Sequence, residues 1–242
     1  MKNYIYGINP IIEALKKNKD IEKIWVSITK KGYSIKEIIK EANKRNIRIS
    51  FVPDSFFNRF KNKNHQGVAA YLSFIKYIKL EEAISLSFKT YKIPLFLILD
   101  GVTDIRNFGA IIRSATCFNV SAIILKLKNS AIINEDVVKT SCGGIFHINF
   151  VKIKSITKSI EFFKEKNFQI ICLTEKGKTP LYEVNFKKPT VLIIGDEHKG
   201  ISIEIINASD ITSFIPTNKK INSLNVSVAT SIALYEFYKQ NI

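Results

Sequence analysis

PLFLILDG (Pro94–Gly101) and TVLIIGD (Thr190–Asp196) decide the fold, together with the runs between and after them. Each is a near-continuous apolar stretch of strand length that ends in a turn signal. SAIILKL (Ser121–Leu127), HINFVKI (His147–Ile153), FQIICLT (Phe168–Thr174) and ITSFIPT (Ile211–Thr217) have the same character. Strands buried on both faces look like this, as in a parallel sheet covered by helices. The intervening stretches are helical in spacing: FGAIIRSATCF, EDVVKTSCG, SITKSIEFFKEKN, SIEIINAS and NVSVATSIALYEFYKQ. Strand and helix alternate, so residues 94–242 are expected to form an α/β domain.

Upstream, a smaller α/β domain is expected over residues 1–74. Asn9 and Pro10 open a helix, with Pro at the first helical position. IEKIWVS (Ile21–Ser27) reads as a strand. SIKEIIKEANKR (Ser34–Arg45) reads as a helix opened by a capping box of Ser34 and Glu37. NIRISFV and GVAAYLSF are further strands, joined by DSFFNRFKNKNHQ, a short helix and then a basic loop. Residues 75–93 are weakly patterned and are expected to be a linker.

Composition narrows the class. Hydrophobic residues make up 46% and charged residues 24%, which excludes a disordered chain or a coiled-coil rod. No apolar run approaches the roughly 18–20 residues of a membrane span. The N-terminus lacks a signal-peptide core, so a cytosolic location is expected. Lys and Arg number 37 against 21 Asp and Glu, so 37 − 21 = +16. That excess fits a polyanionic partner, most simply nucleic acid. AT-rich coding sequence also raises Lys, so charge alone leaves both explanations open. Cys117, Cys142 and Cys172 lie far apart, as do His65, His147 and His198. Neither a zinc site nor a disulfide framework has the spacing it needs. The cysteines sit in apolar segments and are expected to be buried, reduced core thiols.

No two glycines are spaced as GxG, so the dinucleotide fingerprint is missing. Gly195–Gly200 has the outer spacing of a phosphate loop, but Ile-Ser follows where Lys-Ser/Thr is needed. GxSxG does not occur.

Three segments remain, each at the C-terminal end of an expected strand, where ligands bind in open α/β sheets. In LDGVTDIRNFGAIIRSA (Leu99–Ala115), Asn107 and Gly109 precede a helix start. Arg113 lies one to two turns inside, flanked by Ile111, Ile112 and Ala115, and is expected close to an apolar surface. A surface Arg on an amphipathic helix is the plain alternative. In LIIGDEHKGIS (Leu192–Ser202), Gly195 follows a buried strand and lets a ligand approach the backbone. Glu197 follows in a turn, where a solvated carboxylate is the plain alternative. In FIPTNKKINSLNVSVATSIALYEF (Phe214–Phe237), Ser223 and Asn225 flank Leu224 ahead of a long helix. Asn225 is either the N-cap of that helix or part of a polar pocket floor.

In this order, the three segments resemble the signature motifs of the SpoU branch of the SPOUT RNA methyltransferases. NFGAIIRSA resembles the first motif, GDEHKGI the second and IPTNKKINSLNVSVA the third. YIYGINPIIEAL and HQGVAAYLS resemble the N-terminal domain of the bacterial 23S rRNA guanosine-2′-O-methyltransferase subgroup, a small L30e-like RNA-binding domain. The resemblance implies methyl transfer from S-adenosylmethionine to a guanosine ribose 2′-oxygen of 23S rRNA. It also implies a C-terminal trefoil knot and a homodimer with the active site near the subunit interface. Asn107, Arg113, Glu197, Ser223 and Asn225 fall on the family's catalytic and substrate-positioning positions. Thr174, Gly195, Ile215 and Leu224 fall where backbone groups hold the methyl donor. Two departures stand out. Asp104-Ile105-Arg106-Asn107 lacks the family's Pro, and Thr217–Lys220 lacks its turn glycine. A tRNA ribose methyltransferase of the same family and an inactive RNA-binding assembly factor are the alternatives.

Overall fold

A computed structural model describes residues 4–60, 63–197, 199–218 and 223–242. Parts of the basic loop (Lys61, Asn62), the second motif (His198) and the atypical turn (Lys219, Lys220) lie outside them. The chain divides into two units, Met1–Lys76 and Tyr77–Ile242.

The first unit runs β1 (Tyr4–Tyr6), α1 (Ile8–Lys16), β2 (Ile21–Ser27), α2 (Tyr33–Lys44), β3 (Arg48–Val52) and β4 (Val68–Leu72). Its sheet has the order β1-β4-β2-β3, with only β2 and β3 parallel. Alternation along β2 sends Ile24 and Val26 toward α1 and α2, where Ile11, Leu15, Ile38 and Ala42 complete a core. Trp25, of opposite parity, stacks with Tyr4 and with Phe56 from a 3-10 segment, Asp54–Phe60.

Two helix starts differ from the sequence expectation. α1 begins at Ile8, so Pro10 is its third residue; it is still in the first turn, where no N–H partner is lost. α2 begins at Tyr33 with Gly32 as N-cap and no side-chain cap. Ser34 is therefore inside the helix and the Ser34–Glu37 capping box does not form.

The second unit holds an eight-stranded sheet: β5 (Tyr77–Ile78), β6 (Leu95–Asp100), β7 (Ala122–Lys126), β8 (Asn149–Ile153), β9 (Gln169–Leu173), β10 (Thr179–Pro180), β11 (Thr190–Gly195) and β12 (Ile211–Phe214). The order is β10-β12-β9-β11-β6-β7-β8-β5 and every pairing is parallel. The helices are α3 (Leu80–Thr90), α4 (Ile105–Cys117), α5 (Glu135–Thr140), α6 (Ile156–Glu165), α7 (Ile203–Ala208) and α8 (Val226–Asn241). One face of the sheet packs on α3, α6 and α7 through Ala83, Ile84, Ile160, Phe163 and Ile205. α4, α5 and α8 pack together, and α8 reaches β11. The central strands β6 and β11 are buried along their full lengths, as their unbroken apolar runs require. Among the described residues no helix is long and apolar enough to cross a membrane.

The stretch expected as a linker is largely structured. β5 pairs with β8, and α3 buries Ala83, Ile84 and Ser87. A two-residue strand carries no periodicity, and α3 has a narrow buried face with Leu86 and Phe88 exposed, so neither left a clear pattern. Consequently a fragment starting at Tyr77 should fold as an independent unit, whereas one starting at Ile93 should be destabilised. Thermal melts of the two fragments check this; equal midpoints would contradict it.

The cysteines also depart from expectation: only Cys172 is buried, while Cys117 and Cys142 are exposed. Cys117 falls on the outer side of α4, and Cys142 occupies a left-handed turn after α5. Burial pushes the Cys172 thiol up to about 11, so it stays protonated below that pH. At pH 8 an alkylating reagent should label two of the three thiols in the folded protein and all three after denaturation. Labelling of Cys172 at the same rate as the other two would contradict this.

Candidate active site

From β6 the chain turns through α4 to β7 on one side, and from β11 it passes through α7 to β12 on the other. β6 and β11 are neighbours, with Asp100 opposite Gly195 at their C-terminal ends. This is a topological switch point, where an open α/β sheet leaves a crevice for ligand.

Three of the sequence-nominated residues meet there. The Asn107 amide Nδ2 donates to the Glu197 carboxylate, 90 residues away in sequence. Asn225 Nδ2 donates to Asn107 Oδ1 at 3.0 Å. Asn225 Oδ1 in turn accepts from the backbone N–H groups of Ser227 and Val228, capping α8. The amide orientations follow in sequence. An ionised carboxylate only accepts, so Asn107 offers it NH2 and turns its carbonyl to the NH2 of Asn225. Asn225 is therefore both N-cap and site residue, and the two readings of it are compatible.

α4 begins earlier than expected. Asp104 is its N-cap, accepting from Asn107 N–H at 2.8 Å, so Asn107 lies in the first turn rather than ahead of the helix. Asp104 puts an acidic cap at the positive end of the helix dipole, and Ile105 takes the first helical position, where the motif has its proline. Arg113 is exposed, not against an apolar surface, because its neighbours Ile111, Ile112 and Ala115 are the ones turned inward. Ser223 is exposed two residues ahead of Asn225 and joins none of these three side chains.

Three of the four donor-site candidates lie at the ends of the contiguous strands β12, β9 and β11. Thr174 follows β9 and donates its N–H to the Ser213 carbonyl at 2.9 Å. Ile215 follows β12, and Leu224 precedes α8; both are outside any ladder. Gly195 closes β11. A Cβ there would lie 2.4 Å from the Gly200 carbonyl carbon and 2.6 Å from Ile201 N. Asp196 and Gly200 exchange backbone bonds of 3.2 and 2.9 Å. The close approach that requires glycine is thus by its own loop, which folds back over Gly195 and carries Glu197 toward Asn107.

One ion pair at this edge was not nominated from sequence. Asp100, 8% exposed at the end of β6, is 3.1 Å from Lys126 Nζ at the end of β7. Only strand register brings the two together, so spacing alone could not have found them.

The chain is similar to known RNA methyltransferases over nearly its full length. A curated Staphylococcus saprophyticus protein, assigned to the TrmH family of tRNA/rRNA methyltransferases, is 31% identical over 98% of this chain and 95% of its own. The AdoMet-bound rRNA methyltransferase from Sinorhizobium meliloti superposes with a TM-score of 0.62 at 21% identity, over 99% of this chain and 88% of that one. The A. aeolicus TrmH/SpoU tRNA modifying enzyme has a TM-score of 0.56 at 32% identity, covering 66% and 82%. The family model for RNA 2′-O ribose methyltransferase substrate binding matches residues 4–78, and the model of the SpoU rRNA Methylase family matches residues 94–235. With a parallel sheet whose strand order reverses between β6 and β11, three motif segments joined at that switch and more than half its length matched, this chain belongs to the SpoU rRNA methylase family.

Proposed function

We propose that the protein transfers a methyl group from S-adenosylmethionine to the 2′-oxygen of a guanosine ribose in 23S rRNA. The observation that carries this is the joining of Asn107, Glu197 and Asn225 at the switch point, with Arg113 open to solvent on the same helix.

S-adenosylmethionine fits the edge formed by β12, β9, β11 and β6. Ser213, whose carbonyl receives the Thr174 N–H, has a buried hydroxyl there with no partner among the described residues. Thr174, Gly195, Ile215 and Leu224 would hold the donor through backbone groups. When bound, it supplies an electrophilic sulfonium methyl. The chain's own residues then orient and activate the ribose. Deprotonating an ordinary guanidinium near neutral pH costs about 7 kcal/mol, so Arg113 acts as a charged clamp on the developing alkoxide and a neighbouring phosphate. Asn107, Ser223 and Asn225 orient the ribose. The proton leaves to that phosphate, to water or to Glu197.

Charge supports an RNA substrate held by the first unit. Residues 1–76 carry 16 Lys and Arg against 6 Asp and Glu, or 16 − 6 = +10. The remaining 166 residues carry 21 against 15, or +6. Sequence-independent phosphate contacts of this kind position an RNA without reading it.

A homodimer completes the proposal. Val228, Ile232 and Tyr235 form an exposed apolar row along α8, beside Phe118. A second copy covering this row would bury it. Ile232→Asp should shift sedimentation from dimer to monomer; an unchanged wild-type monomer would contradict the assignment.

A tRNA substrate is the second reading, favoured by the likeness to the A. aeolicus tRNA modifying enzyme. Incubation with labelled donor and either 23S rRNA or total tRNA separates the two. Label in the rRNA pool supports the proposal; label confined to tRNA supports the alternative.

A further inference from the structure

α4 is held from two sides, and Arg113 stands between the two holds. On the α8 side there are two rungs. One is Asn107–Asn225 at 3.0 Å, and the other joins the hydroxyls of Ser114 and Ser231 at 2.7 Å. Seven residues separate the rungs on α4 and six on α8, in the same sense, so the two helices run side by side in one direction. On the opposite side, α4 presses against α5 and the turn beyond it. A Cβ on Gly109 would fall 1.8 Å from Thr140 Oγ1, so that contact has no slack. Thr116 Oγ1 lies 2.9 Å from the Ile112 carbonyl and 3.2 Å from the Gly144 carbonyl.

The angular arrangement is informative. With Arg113 at zero and about 100° per residue, Asn107 and Ser114 fall near +120° and +100°. On the same scale Gly109 and Thr116 fall near −40° and −60°. The buried Phe108, Ile111, Ile112 and Ala115 occupy about 160° to 260°, toward the sheet. Arg113 thus rides on the open strip between the holds. Any roll of α4 about its axis would swing the guanidinium sideways. The holds at either side resist that roll.

Asn107–Asn225 belongs to the reactive cluster, and the Gly109 contact is steric. Ser114–Ser231 is the remaining hold next to Arg113. Ser231 also lies 2.7 Å from the Ser227 carbonyl within α8. When its proton goes to that carbonyl, Ser114 supplies the proton between the helices, so one hydroxyl chain fixes both rotamers.

We infer that Ser114 and Ser231 are positioning residues that fix the roll of α4 and thereby aim Arg113 at the substrate ribose. The inference rests on the reading of Arg113 as the clamp. Reactive groups must be held to well under 1 Å, so the loss of a single positioning contact far from the chemistry is felt in turnover.

The test is a double-mutant cycle on the full-length protein, with S-adenosylmethionine affinity measured alongside turnover. Ser231→Ala should lower kcat about tenfold, the scale of one lost hydrogen bond, with donor affinity unchanged. Ser114→Ala should do the same, and the two together should be no worse than either. Ser231→Thr keeps a hydroxyl and should retain activity. In an Arg113→Ala background, Ser231→Ala should have no further effect, because nothing remains to be aimed. A tenfold loss of equal size in that background would overturn the inference, since a general loosening acts with or without Arg113. So would a full-rate Ser231→Ala protein alongside a crippled Arg113→Ala protein. If Arg113→Ala itself keeps full turnover, the clamp reading has failed and this inference fails with it.

Discussion

Arg113→Ala is expected to cut turnover by about 10²–10³-fold, the usual cost of removing a group that stabilises developing charge. Donor affinity should stay within about twofold, because the proposed donor pocket is backbone at the ends of β9, β11 and β12 and does not include this side chain. The structure also makes the variant interpretable. Arg113 is exposed, with no ion pair among the described residues, so its removal leaves no buried charge behind. Arg113→Lys separates clamp from base. Lysine is the easier group to deprotonate but lacks the planar fork that holds a phosphate and an alkoxide together. A lysine variant nearly as slow as alanine across pH supports the clamp. A lysine variant restored to most of its rate, climbing with pH, would make Arg113 a base instead. Single-turnover rates and calorimetric donor binding check both points.

Gly195→Val should damage the donor site most. Its side chain would enter space held by the Gly200 carbonyl and Ile201 N, where a Cβ meets atoms at 2.4 to 2.6 Å. The loop must move away, taking Glu197 from Asn107. Overpacking of this kind costs about 1–3 kcal/mol, equivalent to about 5- to 150-fold in affinity. The loss should fall on S-adenosylmethionine binding, with RNA affinity nearly unchanged, since most of the excess positive charge lies in residues 1–76. Calorimetry with the donor and filter binding with rRNA measure the two. Equal losses in a folded variant would mean that the loop serves structure alone.

The architecture was written locally, and most of the chemistry was not. The apolar runs that became β6, β7 and β11 are buried in full or nearly so, and a period-free apolar run has few other uses. Short or shallow elements escaped: β5 has two residues, and α3 exposes Leu86 and Phe88. Helix starts at Ile8, Tyr33 and Ile105 came one to three residues before the polar signals that suggested them, because glycines and Asp104 hold the N-cap positions. The cysteines misled because an apolar neighbourhood in sequence says nothing about which side of a helix a residue takes. Cys117 lies on the same outer side of α4 as Arg113.

For the site, each motif located its residues in a segment that follows a strand, but none showed that Asn107 touches both Glu197 and Asn225. Those contacts span 90 and 118 residues and depend on β6 and β11 being neighbours. The Asp100–Lys126 pair is invisible for the same reason. The family resemblance supplied the roles, and the sheet order supplies a physical reason for the convergence of these residues.

The most direct test is where the methyl group goes. The purified protein is incubated with methyl-labelled S-adenosylmethionine and 23S rRNA, and the RNA is then hydrolysed in alkali. Alkaline cleavage needs a free 2′-hydroxyl, so a 2′-O-methylated nucleotide stays joined to its 3′ neighbour. The account predicts label in alkali-resistant dinucleotides whose 5′ member is guanosine. Label released as ordinary mononucleotides would place the methyl on a base, and an unlabelled RNA would mean that 23S rRNA is not the substrate; either result would contradict the proposed guanosine ribose methylation of 23S rRNA.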